Sequence, residues 1–378
     1  MKNSDQKRRG NMCLCGAELT LKEDTVKPFI KWAGGKSEEL PVIKRHLPMQ
    51  QIRRYIEPFV GGGAVYLGLG RYPAYVNDKS EELVDLYRCV RDADEQFFAT
   101  IDMYEHDFRS IDALIDNSPE DVLKTYHKEI SVDEFIESHL SELKKIGAVN
   151  EDIFLKEAKR NLTLKINRSL KLEQAKAIPE ADRLDNMESA LKSAYYMTIR
   201  ELYNRKEGDK GERTALFYFV REYCYSSMFR YNSKGMFNVP YGGISYNRKN
   251  FKEKIDSLKS RELQEYLNKT QFYCQDFEEF LSKICPEKDD FIFLDPPYDS
   301  DFSTYLQNPF DKDCQIRLRD CLAGTPANFM LIIKDTPFIR GLYEGRYNIK
   351  EYGKNYMVSF KNRNKRDVNH LLITNYTN

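Results

Sequence analysis

Toward the carboxyl end of the chain, the run Phe291-Ile292-Phe293-Leu294 leads into Asp295-Pro296-Pro297-Tyr298. Four apolar residues in a row read as a buried strand, and open α/β sheets place their chemistry just beyond such strand ends. Two successive prolines stiffen the turn and remove two backbone donors, so its carbonyls face a pocket without competing N–H groups. An aspartate beside such a carbonyl makes a pair of acceptors, which suits an exocyclic amine. The lone pair of an aromatic amine is delocalised into its ring. Two acceptors gripping the hydrogens favour a pyramidal nitrogen whose lone pair points at an electrophile, while Tyr298 stacks on the ring face. The remaining work is positioning for in-line attack at ~3–3.5 Å. Neither a metal nor a covalent enzyme intermediate is called for.

Other stretches supply what such a reaction needs. Glu57-Pro58-Phe59-Val60-Gly61-Gly62-Gly63 joins a short apolar strand to AVYLGLG, which reads as helix. Strand, glycine turn and helix open a doubly wound fold, and the turn lets a cofactor approach the backbone. Asp78 stands just past a second strand, Ala74–Val76, where it can take ribose hydroxyls or cap the helix that follows. TQFYCQDFEEFL offers a strand ending in Asp276-Phe277, ANFMLIIKDTPF a strand at Phe329–Ile333, and VNHLLITNYTN a last one. KWAGGKSEEL, residues 31–40, has the look of a phosphate loop, but the spacing G-x-x-x-x-G-K-[ST] puts Ile30 where the first glycine belongs. The preceding TVKPFI is also short and broken by Pro28. The phosphate-loop reading fails on spacing and on context, and a P-loop hydrolase is left as the weakest alternative.

These elements belong to a chain of 378 residues, room for two or three domains at ~150 residues each. Lys and Arg total 59 and so do Asp and Glu, so any nucleic-acid surface must be a local patch. The eight cysteines form no C-x-x-C pair, and no histidine stands at zinc-ligand spacing. Reduced thiols, no metal, no membrane span and a cytoplasmic setting are the expectations.

The ordered set of motifs resembles the Dam-type (D12 class) DNA adenine N6-methyltransferases. KWAGGK is similar to that family's N-terminal cofactor motif, EPFVGGG to its glycine motif, VNDKSEEL to the acidic motif, CQDF to the adenine-pocket motif and FLDPPY to the catalytic one. MFRYNSKGMFNVPYGG resembles the target-recognition hairpin, and the likeness covers about residues 28–98 and 215–378. It implies a Rossmann-like α/β methyltransferase sheet with an inserted, mainly helical target-recognition domain that carries a β-hairpin. By resemblance, S-adenosylmethionine is the cofactor, held by Trp32, Lys36 (on its carboxylate), Phe59, Val60, Gly61, Gly62, Gly63, Asp78 (ribose), Asp276 and Phe277 (adenine). Asp295 and Pro296, on the turn with Pro297, grip the target N6 amine, and Tyr298 stacks on the base.

A base inside a duplex cannot reach such a pocket, so the target adenine must flip out, at a cost of a few kcal/mol that phosphate and groove contacts offset. Residues 221–252 suit double-stranded DNA, with Arg221, Arg230, Lys234, Arg248, Lys249 and Lys252 against the single acid Glu222 and aromatics interleaved. The resemblance makes Arg230 the base reader, has Asn232, Asn238 and Pro240 shape the hairpin around Lys234, and sets Tyr225 in the gap left by the flipped base. Gly243-Ile244 stand where GATC-specific members carry a basic and aromatic pair, a departure that leaves the recognised sequence open. The same amine chemistry would serve N4 of cytosine, and a non-catalytic nucleic-acid-binding relative is a further alternative.

The expected layout is a poorly ordered leader at 1–27, a discontinuous cofactor-binding catalytic domain at 28–98 and 264–378, and a target-recognition domain at 99–263. Within the last, a helical insert at about 105–210 has an acidic first part, eleven acids against three basic groups over 101–140. Its second part is basic, nine against four over 144–176. A monomer or weak dimer fits, and a restriction endonuclease of the same system is a partner the reading leaves room for.

Overall fold

The computed structural model describes residues 26–377 except 33, 71–72, 298–309 and 356–366. The leader expected at 1–27 lies almost wholly outside the described residues, as does Tyr298.

Seven strands form one sheet: β1 (Tyr55–Glu57), β2 (Ala74–Asn77), β3 (Thr270–Tyr273), β4 (Phe291–Leu294), β5 (Asn328–Lys334), β6 (Asn348–Asn355) and β7 (Asp367–Thr374). Their order is β3-β2-β1-β4-β5-β7-β6. The first five run parallel, in register at Tyr55 with Ala74 and with Phe291, and at Phe291 with Asn328. β7 enters antiparallel against β5, pairing Leu372 with Ile332, and β6 is antiparallel to β7. The order reverses between β1 and β4, and the crevice at such a switch point is where open α/β sheets bind ligands. The expected Rossmann-like sheet is present.

Central parallel strands are covered on both faces, which explains why YIE and FIFL are buried at every position. Alternate side chains then supply two cores. Ile56, Ile292, Leu294, Leu331 and Ile333 face the helices Phe277–Ile284, Lys312–Gly324 and Pro337–Tyr343. Tyr55, Val76, Phe272, Phe293, Met330 and Ile332 join a second core that continues without a break into Phe108, Tyr195, Phe219 and Tyr223 of the helical region.

That region enters the chain between the helix Glu81–Arg91 and β3. Three of its helices begin with side-chain caps: Asp94 accepts from the Phe97 amide, Asn150 from Ile153, and Asp209 forms a capping box with Glu212. The helix Glu180–Arg205 matters most, because a stripe along it holds the irregular segment 237–247. Lys192 Nζ donates to the Asn247 carbonyl at 2.9 Å, and Tyr196 Oη and Arg200 Nη1 donate to Val239 at 2.9 and 3.1 Å. Asn204 pairs with both backbone groups of Phe237, at 2.7 and 3.0 Å. A spacing of four residues puts these side chains on one helix face.

Candidate active site and recognition loop

The carboxyl ends of β1, β2, β3 and β4 open on one cavity of about 870 Å³. Asn77, at the end of β2 and 1% exposed, ties three of these ends together. Its Nδ2 donates to the Pro58 and Gln275 carbonyls, both at 3.0 Å, while its Oδ1 accepts from the Gln275 amide at 2.9 Å. The glycine turn is then fixed by packing. Gly61 has φ 48°, and a Cβ there would lie 2.8 Å from Trp32; Gly63 has φ 72°, and a Cβ would lie 2.5 Å from the Tyr87 hydroxyl. Neither site tolerates a side chain.

The expected cofactor residues Trp32, Lys36, Phe59, Val60, Gly61, Gly62, Asp78, Asp276 and Phe277 all line this cavity, together with Asp295, Pro296 and Pro297. Gly63 does not; it takes the left-handed conformation at the start of helix Ala64–Leu69 and packs under Tyr87. Asp78 Oδ2 accepts from the Gly61 amide at 3.0 Å and Oδ1 from the Ser80 amide at 2.9 Å, so it braces the glycine turn and holds Ser80, the cap of helix Glu81–Arg91. Burial raises its pKa. Asp276 likewise accepts from the Glu278 amide at 3.1 Å and pairs with Arg317 at 2.5 Å. Phe59, Phe277 and Phe310 form an aromatic wall with ring centroids 5.5–5.6 Å apart.

At the β4 end, Lys36 Nζ lies 2.6 Å from both carboxylate oxygens of Asp295 and donates to the Gly34 carbonyl at 3.0 Å. Lys36 is 2% exposed. It reaches across the cavity from the KWAGGK segment, so the first anion it meets belongs to the protein. Beneath this pair, Glu57 is buried with the Tyr55 hydroxyl donating to it at 2.6 Å. Burial drives the Glu57 pKa well above the usual carboxylate range, and nearby Asp295 adds to the effect.

The residues expected to meet DNA lie outside this cavity, on one loop. Tyr231 and Phe237 form an antiparallel bridge, and Asn232 Oδ1 accepts from the amides of Lys234 and Met236 at 2.9 and 3.0 Å. The hairpin is thus a bridged turn, with no assigned strand in it. Arg230 and Lys234 are exposed, and Arg230 Nε donates to Asn238 Oδ1 at 3.1 Å. Tyr225, 45% exposed, receives its anchor through its own amide, which donates to the Pro240 carbonyl at 2.8 Å.

Other members of the basic stretch have partners within the protein, Arg248 and Lys252 in surface ion pairs. Arg248 pairs with Asp185, Lys252 with Asp256, and Lys249 is half-buried over the Tyr246 ring with its pKa pushed down to about 8 by burial. Arg221 is 2% exposed. Sequence reasoning assigned no role to Glu57, Asn77, Phe310, Arg317 or the Lys192–Asn204 stripe. Glu57 and Asn77 carry a usable signal, since each ends a strand; the others depend on distant partners. Among the described residues no cluster of His, Cys, Asp and Glu could hold a metal, and no helix is long and apolar enough to cross a membrane.

A cavity at the switch point, with an acid near the ends of β2, β3 and β4 and a glycine turn after β1, is the ligand-binding crevice of an open α/β sheet. The model of the D12 class N6 adenine-specific DNA methyltransferases matches residues 32–169 and 154–358, and the chain belongs to that family. It is 30% identical over 372 residues to the Type II methyltransferase M.MjaIII of Methanocaldococcus jannaschii, covering 93% of this chain and 99% of the relative. A Type II methyltransferase of a Paramecium bursaria Chlorella virus, M.CviBI, is 26% identical over 93% of this chain and 100% of its own length. The DNA adenine methylase of Vibrio cholerae is 25% identical over 90% and 94%. The protein is an adenine-specific DNA methyltransferase acting on duplex DNA.

Proposed function

We propose that the switch-point cavity binds S-adenosylmethionine and the flipped target adenine side by side. The observation that carries this is the contact of Lys36 with Asp295, at 2.6 Å, which brings the cofactor motif and the amine-binding turn to one point. The cavity's residues suit the cofactor: the aromatic wall Phe59–Phe277–Phe310 and the carboxylate of Asp276 fit an adenine, Asp78 fits a ribose diol, and Lys36 fits a carboxylate. When bound, S-adenosylmethionine supplies a methyl group activated on a sulfonium. The protein's share is orientation. Asp295 and the Pro296 carbonyl accept the hydrogens of N6 and aim its lone pair, and Tyr298 stacks on the base.

The loop 225–240 reads the duplex. Arg230 reaches a base edge, and an arginine bidentate to guanine is the commonest specific contact. Lys234 meets phosphate, while Asn232, Asn238 and Pro240 hold the turn. Tyr225 fills the gap left by the flipped base. Residues 99–263 serve as the recognition region, and the stripe on helix Glu180–Arg205 explains why the insert is needed: it is the loop's mount. Two of the relatives are named Type II methyltransferases, which supports a restriction-modification setting with a partner endonuclease. Calorimetry with S-adenosylmethionine and with ATP tests the cofactor. Micromolar binding of the former alone is expected, and binding of ATP alone overturns the proposal.

A further inference from the structure

Arg221 is the one residue of the basic stretch that turns inward to line the cavity and is almost wholly buried. It sits on the helix Lys210–Tyr223, beside Glu222, but Glu222 pairs with Lys254 at 2.6 Å. Among the described residues the Arg221 guanidinium meets no carboxylate; its Nη2 donates to the Lys31 carbonyl and its Nε has no partner. Burial lowers its pKa. A methionine or leucine would fill this space without the cost of burying a charge. The guanidinium is nevertheless there, so its directional contacts define its use.

Those contacts join two loops. The Arg221 Cζ lies 4.7 Å from the Trp32 ring centroid and 4.2 Å from that of Phe229, in the angle between two rings 6.4 Å apart. Trp32 in turn rests on the glycine turn, where a Cβ at Gly61 would lie 2.8 Å from its ring and one at Gly62 3.0 Å from its Cβ, and the Gly61 amide donates to Asp78. On the other side Phe229 immediately precedes Arg230 and packs on Tyr231 and Phe237, centroids 5.7 and 4.8 Å away, the two residues that bridge the recognition turn. A continuous line of contacts therefore runs from the recognition loop through Phe229, Arg221 and Trp32 to the glycine turn.

The loop end of this line holds strain. Between the helix end at Tyr223 and Phe229, Ser226 and Ser227 both have positive φ, 52° and 49°. Non-glycine residues keep that conformation only where their surroundings impose it. Tyr225 and Arg230 flank this turn, so a duplex that engages them acts on the segment that carries Phe229 against Arg221.

We infer that Arg221 is a positioning residue that transmits DNA engagement at the recognition loop to Trp32 and the cofactor turn. The inference rests on the functional reading above. Its readout is built in, because Trp32 is the only tryptophan of the chain. Trp32 emission of the full-length protein is titrated with S-adenosylhomocysteine, with and without a duplex bearing the sequence methylated in expressing cells.

In the wild type, DNA shifts the emission and tightens S-adenosylhomocysteine binding at least about fivefold, a typical coupling. In Arg221→Met, binding without DNA stays within about threefold of wild type, but the tightening falls below about twofold, and kcat drops more than KM for DNA. Arg221→Lys, which keeps the charge against the rings, restores part of both. Phe229→Leu breaks the same line from the loop side and reproduces the loss even where Arg221→Met folds poorly. Wild-type binding that DNA leaves unchanged, or full tightening retained in Arg221→Met and Phe229→Leu, overturns the inference alone. No S-adenosylhomocysteine binding by the wild type overturns the cofactor reading and the inference with it.

Discussion

The strand-end cavity and the recognition loop are built by opposite means. In the cavity, the three acids stand at or just beyond the ends of parallel strands, so the backbone fixes them before any side chain is chosen: Asp78 immediately after β2, Asp295 immediately after β4, and Asp276 in the short turn that follows β3. The loop has no strands of its own, only two isolated bridges, and keeps its shape by hanging on the helix Glu180–Arg205. Chemistry needs positions held to a fraction of an ångström, and a sheet gives them. Reading a duplex needs a surface that can adapt, and a mounted loop gives that.

The contrast predicts separable losses. The largest belongs to Asp295→Asn, which keeps the shape but replaces one acceptor with a donor; methyl incorporation into DNA drops at least ~10²-fold, the usual effect of losing one positioned polar group, while S-adenosylmethionine affinity by calorimetry changes little. Lys36→Met comes next. It leaves Asp295 without its buried cation, and because Asp295 is 19% exposed the loss of stability is about 2 kcal/mol, below the ~3–5 of a fully buried pair. Urea denaturation measures that loss, and cofactor binding weakens alongside it.

Arg230→Ala acts on the other region. It costs ~1–3 kcal/mol in DNA affinity and relaxes selectivity at one base position, with cofactor affinity unchanged. Competition binding against duplexes altered at single positions shows it, and a uniform loss across all of them would assign Arg230 to phosphate.

Two smaller effects probe the helical mount. Burial pushes the Asp107 pKa up to about 6, with the Tyr195 hydroxyl donating to it at 3.1 Å. Because its folded value lies above the unfolded one of about 4, the folded state binds the extra proton between these values. Stability from this group is therefore present below about pH 4 and lost as pH rises through 6. Asp107→Asn gains ~1–2 kcal/mol at pH 7.5 and nothing at pH 4, read by thermal melts at both. Asn204→Ala removes both ties to Phe237 and loosens the loop; DNA binding weakens about tenfold, or ~1.4 kcal/mol, with cofactor affinity intact. A loss of cofactor binding in that variant would erase the distinction between the two regions.

The same division explains what the sequence disclosed. The glycine turn and the three acids were legible because a short apolar run near each declares a strand, and function follows at its end; Lys36, with no strand before it, was legible only through the likeness of KWAGGK to the family's cofactor motif. Arg317 on Asp276 and Phe310 against Phe59 were not, since their partners lie far away in the chain. Arg221 was read as part of a phosphate-facing patch, because composition counts charges without telling which way a helix turns them. The Lys192, Tyr196, Arg200 and Asn204 stripe looked like any mixed helix face until the loop lay on it. β6 escaped notice for a different reason: NIKEYGKN is an edge strand with polar and charged residues, the pattern that keeps a sheet edge from pairing further.

The central claim is that the Asp295 turn methylates adenine at N6 in a site chosen by the loop. Nucleosides from DNA of cells expressing the wild type and the Asp295→Asn variant, separated and weighed by mass spectrometry, test it most directly. N6-methyladenine with the wild type and its absence with the variant is the expected result. N4-methylcytosine with the wild type, or undiminished N6-methyladenine with the variant, would contradict it.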